Sequence, residues 1–162
     1  MESINILIAS AHRGINNALE AAVLDVCYNR VFAHFTRTAS LNDLVRFGRS
    51  GNYGLLIVVA AHVQPTKRET ASSLLTEVAS SLQVIRAHAS APIMAIATSD
   101  AHHETLREAS VNCVLRFPFE RDQLRAEFRR VLKLPEVNEE ATGSRWSQAN
   151  FLLRAFQRLK SA

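Results

Sequence analysis

The sequence is poor in the residues that set special chain classes apart. Five glycines and four prolines in 162 residues exclude collagenous and linker-like chains. With 48% apolar and 21% charged residues, a strongly charged disordered chain is excluded as well. Cysteine occurs twice, at Cys27 and Cys113, each inside an apolar stretch and without a CxxC or Cys/His ligand spacing. A disulfide framework is therefore not expected, and buried free thiols in a reducing compartment are. Long apolar runs are missing too. The longest, Leu55–Ala61, is far below the roughly 20 residues of a membrane-crossing helix, and no basic segment precedes a hydrophobic one at the N-terminus. A soluble, cytoplasmic protein with no membrane partner is the expectation. The length suits one domain, since single domains usually run to roughly 100–150 residues.

What is present is an alternation of two periodicities. Five short apolar runs, Ile4–Ala9, Val31–Phe35, Leu55–Ala61, Ile93–Ala97 and Cys113–Leu115, are separated by longer segments of helical spacing. The first, third and fourth runs are almost continuously hydrophobic, as central strands of a parallel sheet covered by helices on both faces must be. The second carries His34 and suits an edge. Leu19, Ala22, Val23, Val26 and Cys27 form one helical stripe, and Ala71, Leu74, Leu75, Val78, Leu82 and Ile85 form another. Leu41, Leu44 and Val45 mark a shorter helix closed at Gly48–Gly51. His103–Ser110 is read as a fourth helix, and Leu124, Phe128, Val131 and Leu132 mark a fifth. Five β–α units in succession, joined by right-handed crossovers, predict an α/β three-layer sandwich.

The charge of +4 is unevenly distributed. Residues 1–134 carry 15 Lys or Arg against 12 Asp or Glu, residues 135–144 carry three acids and no base, and residues 145–162 carry four bases and no acid. The polar stretch 135–144, bounded by Pro135 and Gly143, reads as an acidic linker. Beyond it Trp146, Ala149, Leu152, Leu153, Phe156 and Leu159 fall on one side of an amphipathic C-terminal helix. Its stripe, with Trp146, Leu153 and Phe156 as docking residues, is expected to bury against its own domain or against a second copy.

In this order and spacing, Ile6-Leu7-Ile8-Ala9, Tyr53-Gly54 before the third strand with Pro65 after it, Ala91-Pro92-Ile93, and Arg116-Phe117-Pro118-Phe119 resemble a response-regulator receiver domain over about residues 4–134. The resemblance implies a flavodoxin-like (βα)5 fold with strand order 2-1-3-4-5. It also implies where receiver chemistry would sit: an acidic pair holding Mg²⁺, a phosphoacceptor aspartate, a Thr or Ser, and a Lys that neutralises the transferring group. Here the acidic pair aligns with Ser10 and Ala11. The acceptor falls within Val59, Ala60 and Ala61, the hydroxyl at Thr98 or Ser99, and the lysine at Phe117. No carboxylate or lysine stands at those places. The implied protein is a degenerate pseudo-receiver without Mg-dependent phosphoryl transfer, an enzymatic activity or a cofactor, acting in signalling by protein–protein contact.

Receivers commonly dock through the face of the fourth helix, fifth strand and fifth helix. The resemblance therefore nominates Arg107, Arg116, Phe119, Arg121, Arg125 and Arg129 as an interaction face, with a homodimer as the expected partner. The arginines at 121, 125 and 129 are equally readable as a solvated helix face balanced by Glu120, Asp122 and Glu127. His12, His62 and His102, with His103 and Asp100 nearby, follow three strands that should be neighbours, at the edge where such sheets bind ligands. They support an alternative reading, a small-ligand or metal sensor, against the simpler one of solvated loop histidines. Gly48, Gly51 and Gly54 run from helix into strand, the wrong order for a phosphate loop, and read as turn punctuation. Nucleic acid is not an expected partner, because no helix-turn-helix or aromatic platform follows the domain.

Overall fold

The computed structural model describes residues 2–134 apart from 29, 66–70 and 118. The expected linker at 135–144, the tail helix at 145–162 with Trp146, Leu153 and Phe156, and Pro118 all lie outside the described residues. Strand and helix alternate as β1 (Glu2–Ala9), α1 (Arg13–Cys27), β2 (Val31–Thr38), α2 (Leu41–Arg49), β3 (Leu55–Val59), α3 (Ala71–His88), β4 (Ile93–Ala97), α4 (Asp100–Glu108), β5 (Cys113–Arg116) and α5 (Arg121–Leu132). All pairings are parallel and the order is β2-β1-β3-β4-β5, the flavodoxin-like order.

Two-sided burial explains the continuous apolar runs. Ile6, Ile8, Leu55, Ile57, Val59, Met94 and Ile96 point to one face, where Leu19 and Val23 of α1 and Leu124 and Phe128 of α5 cover them. Their chain neighbours Leu7, Ala9, Leu56, Val58, Ile93 and Ala95 point to the other, against Leu44 of α2, Val78, Leu82 and Ile85 of α3, and Leu106 of α4. Each fully buried Ile, Leu or Val contributes about 1.5–3 kcal/mol relative to exposure, so these three strands hold the layers together. At the edge, β2 alternates instead: Val31, Ala33 and Phe35 pack on the α1/α5 side while Phe32 and His34 are exposed.

Helix boundaries follow their caps. The Ser40 hydroxyl accepts the Asp43 N–H at 3.0 Å and starts α2; Asp43 in its first turn and Arg46 and Arg49 in its last complement the helix dipole. Ser99 caps α4 by accepting the His102 N–H at 3.2 Å, so this helix begins at Asp100 and not at His103 as the apolar spacing suggested. Lys133, in the left-handed region at φ 54°, ends α5 with its N–H on the last carbonyls.

Three further expectations are corrected. β1 begins at Glu2 and not at Ile4, because Glu2 and Ser3 pair with Val31 and Phe32 although their side chains are polar and exposed, so hydropathy carried no signal there. β3 ends at Val59: Ala60–His62 form a 3₁₀ turn, which removes Ala60 and Ala61 from the strand. Gly48 is not punctuation but lies inside α2, buried where the helix meets α3. A Cβ there would stand 2.9 Å from Ile85 Cδ1 and 3.0 Å from Leu56 Cδ2. The turn itself is made at Gly51, with φ 72°.

Glycine inside a helix is destabilising by about 0.5–1 kcal/mol against alanine, so its presence at 48 reflects this close approach. Gly48→Leu is expected to destabilise the fold by about 1–3 kcal/mol through overpacking, read as a lowered urea midpoint with an unchanged slope. An unchanged midpoint would contradict the packing described.

Candidate functional site

The carboxyl ends of β1, β3 and β4 bring most of the sequence-nominated positions to one edge. Ser10 follows β1 and is buried. Its N–H donates to the Thr38 carbonyl at 2.8 Å, its hydroxyl accepts the His12 N–H at 3.1 Å, and its carbonyl accepts from Asn16 Nδ2 at 3.1 Å. Ala11, next along, donates its N–H to the His62 carbonyl at 2.5 Å. The loop after β2 is drawn in as well: Leu41 donates to the Gln64 carbonyl at 3.0 Å and Gln64 to the Ala39 carbonyl at 2.7 Å. Main-chain hydrogen bonds thus tie the loops after β1, β2 and β3 to one another.

His12 caps α1. Its Nδ1 accepts the Ile15 N–H at 3.2 Å, which requires that nitrogen to be unprotonated. Gly14 leaves room for the ring, since a Cβ there would lie 3.1 Å from His12 Cε1. The His12 and His62 rings meet edge to face, centroids 5.6 Å apart. Burial, and then the neighbouring His12, hold the His62 imidazole below its ordinary range.

On the far side of the edge Thr98 follows β4, half-buried, with its hydroxyl 3.5 Å from His102 Nδ1. Phe117 is the residue that the sequence resemblance matches to the receiver lysine. Its N–H donates to the Ala97 carbonyl at 2.8 Å and its ring stands perpendicular to that of Phe119, centroids 6.2 Å apart. Val59 and Ala60 are buried and Ala61 is exposed. A hard cation such as Mg²⁺ needs anionic oxygen ligands, and the residues at this edge do not fit it: Ser10 and Ala11 supply no charge, and the turn after β3 supplies two alanines and His62, none of them a carboxylate. Asp100, the nearby carboxylate, is paired with Arg116 across the ends of α4 and β5. Of the three nominated histidines, His12 and His62 touch, while His102 pairs with Thr98. Among the described residues no group of three or more His, Cys, Asp or Glu could hold a metal ion.

The nominated interaction face is only partly a surface. Phe119 and Arg125 are buried, which corrects their assignment to an exposed face. Arg125 lies between α5 and α1, with Nε 3.4 Å from Asp25 and Nη1 3.7 Å from Asp122. The stripe was ambiguous because Arg125 directly follows the core residue Leu124 on the helix. Arg121 and Arg129 are half-buried. Arg107 and Arg116 are exposed, the first paired with Glu104 at 2.6 Å. Cys113 donates to Glu127 Oε2 at 3.3 Å, and burial, helped by Glu127, pushes its thiol up to about 12, which makes it unreactive. Cys27 is buried as a free thiol too.

Sequence reasoning missed Asn16, which braces the end of β1. The signal was available: Asn16 stands at helical spacing with Leu19 and Val23, a polar residue on an apolar stripe. It also missed a groove of about 540 Å³ between α2 and α3, lined in part by Arg46, Arg49 and His88, which come together only through tertiary packing.

The lowered His62 value fixes the sign of a pH effect. A base whose folded value is depressed stabilises the fold above its unfolded value, near 6.5, and that contribution is lost as pH falls. Unfolding free energy is therefore expected to drop as pH falls below about 6.5, and to drop less in His62→Gln. Equal slopes in chemical denaturation across this range would refute it.

Neither a protein-family model nor a curated protein matches the sequence. Solved structures do match. A signal receiver domain of a histidine kinase from Clostridium thermocellum superposes with a TM-score of 0.62 at 17% identity, over 81% of this chain and 98% of that one. The receiver domain of a sensor histidine kinase from Pseudomonas aeruginosa, with a magnesium ion coordinated in its active-site cleft, gives 0.57 at 18% identity, over 81% and 98%. A Burkholderia thailandensis protein named for pilus assembly (cpaE) gives 0.56 at 23%, over 80% and 98%. At these identities the likeness is one of fold, and the fold is that of the CheY-like receiver domains of two-component signalling.

Proposed function

We propose that this chain is a pseudo-receiver: a cytoplasmic signalling module that works by protein–protein contact, as a homodimer, without phosphoryl transfer or a cofactor. The observation that carries the reading is the chemistry at the carboxyl edge. The places of the acidic pair, the phosphoacceptor and the lysine hold Ser10 and Ala11, Val59 to Ala61, and Phe117. Phosphoryl transfer is driven by positioning and by neutralising charge on the transferring group. A pocket without the carboxylates and the lysine has neither nucleophile nor counter-charge. The bond from Ala11 to the His62 carbonyl adds to this by joining the two loops that flank the pocket. The metal-sensor alternative draws no support from the geometry, because only two of its histidines meet.

For the contact surface the reading keeps α4 and β5, where Arg107 and Arg116 are exposed, and drops Phe119 and Arg125. Strand β5 is four residues long and at the sheet edge, with Arg116 outward, which blunts strand addition and leaves side-chain recognition as the mode of contact. Residues 1–134 form the receiver-like unit of this proposal, with 135–144 as an acidic linker and 145–162 as a basic tail. The solved structures with this fold carry names from both histidine-kinase signalling and pilus assembly, so the fold does not select the pathway.

With acetyl phosphate and Mg²⁺ the intact mass is expected to stay unchanged, and Ala61→Asp alone is expected to remain unlabelled; covalent labelling of the native chain would sink the proposal. In light scattering the full chain is expected to self-associate, and Arg107→Glu with Arg116→Glu to weaken association by about tenfold, or 1.4 kcal/mol. A monomer at every concentration would remove the homodimer.

A further inference from the structure

Helices α2 and α3 approach closely at Gly48 and Ile85, and the residues beside that contact line the groove of about 540 Å³. Helical spacing explains the lining. Leu41, Val45 and Arg49 follow at i, i+4 and i+8 along α2, and Ser81 and His88 stand about one turn before and after Ile85 on α3. Leu41 is buried and Val45 half-buried, which gives the groove an apolar floor, while Arg46, Arg49 and His88 are exposed along its rim. Volumes of about 300–1,000 Å³ are those of small-molecule sites. Both helices run against the strands, so their last turns, with Arg49 and His88, lie at the amino edge of the sheet, opposite to Ser10 and His62.

Charge on this rim is not balanced. His88 Nδ1 lies 2.9 Å from the Val84 carbonyl, which can only accept, so that nitrogen carries the proton. Nε2 is then the acceptor for Arg49 Nη2 at 3.3 Å, and the ring is neutral. The Arg49 guanidinium is thus held across the groove by a group without charge, and it makes no ion pair with another described residue. Arg46 is paired with Asp43 at 2.9 Å, the two side chains being 69% and 44% exposed. Such an exposed pair within one helix is weak and gives way to a stronger anion. It offsets one of the two arginine charges and leaves the other. Complementing the dipole of α2 accounts for two arginines in its last turn. It does not account for the apolar floor, nor for the half-buried Ser81 hydroxyl, which makes no hydrogen bond to another described residue.

We propose that this groove binds a small, free phosphate monoester, with the phosphate held by Arg46 and Arg49 and the apolar organic part over Leu41 and Val45. Arginine forks match phosphate oxygens in pairs, and neighbours at i, i+3 can share one head group. A phosphate monoester sets three oxygens and nearly two negative charges against the two guanidinium groups, where a carboxylate has two oxygens and one charge. The binding is non-covalent and at the opposite edge of the sheet from Ser10 and Ala61, so it stands whether or not the carboxyl edge transfers phosphoryl groups.

Titration of the full chain with phenyl phosphate, followed by amide NMR shifts, tests this. Saturable shifts at Val45, Arg49 and Ser81 are expected, with a Kd of about 1 mM or tighter. Arg49→Gln and Arg46→Gln, both at exposed positions outside the core, are each expected to weaken binding by about tenfold while the amide spectrum keeps the native fold. Arg107→Gln on α4 is expected to bind as the native chain does. Benzoate is expected to bind more weakly for want of charge, and inorganic phosphate for want of an apolar part. Absence of a saturable shift with phenyl phosphate would overturn the proposal, as would unchanged affinity in Arg49→Gln. Equal losses from Arg49→Gln and Arg107→Gln would overturn it by showing attraction to basic surface in general, and benzoate binding as tightly as phenyl phosphate would overturn the choice of phosphate. Sedimentation with phosphatidic acid vesicles while phenyl phosphate is inert would overturn it as well, because the ligand would then be a membrane surface.

Discussion

The constraint on which the rest depends is the burial of β3, β4 and the Ile6–Ala9 half of β1 from both sides. A strand with helices on each face has no solvent-facing side chain, so all of its polarity must be held in the main chain and spent on strand pairing. Chemistry is thereby confined to strand ends. Ser10 and Thr98 are the first polar residues after β1 and β4, and both stand at the carboxyl edge, where the change in strand order between β1 and β3 opens the sheet. The same constraint shapes the helices: α1 and α5 must turn an apolar stripe to one face while α2, α3 and α4 turn theirs to the other. Gly48 marks how tightly this second layer closes.

The neutral residues at the edge are physically self-consistent. Clustered carboxylates repel one another and raise one another's proton affinity unless a cation sits among them. With Ser10, Ala11 and Ala61 there is no repulsion to relieve. The loops then approach until Ala11 bonds directly to the His62 carbonyl and the two histidine rings touch. The edge is satisfied by main-chain hydrogen bonds, with His12 also serving as the helix cap.

Much of this was legible in the sequence, for reasons that also explain the misses. Strand order and layers were readable because continuous apolar runs and 3.6-residue stripes are imposed by burial. The beginning of β1 was not, since Glu2 and Ser3 are held by pairing with β2 and not by hydrophobicity. The start of α4 was readable in principle from the Ser99-Asp100 cap, which apolar spacing overlooked. Arg125 was the harder case. Arginines at i, i+4 and i+8 look alike in sequence, and only the approach of α1, bringing Asp25, puts the middle one inside and leaves its neighbours half-buried. The contact of His12 with His62, from positions fifty residues apart, needed the parallel register of β1 and β3.

The chemistry of the edge bears on how such a module could be regulated. A conformational equilibrium moves only when something interacts differently with its two states. In a phosphorylated receiver that difference comes from the phosphoryl group and its metal. On the proposed reading the pocket takes neither and supplies no such energy, and loops joined by Ser10–Thr38 and Ala11–His62 hydrogen bonds favour a single arrangement. Under that reading, switching would come from outside the pocket, from the surface of a partner. That shifts the search for control from the carboxyl edge to the outer helices. There Arg107 on one side and Leu24 and Tyr28 on the other present exposed charge and exposed apolar area at separate places on the domain.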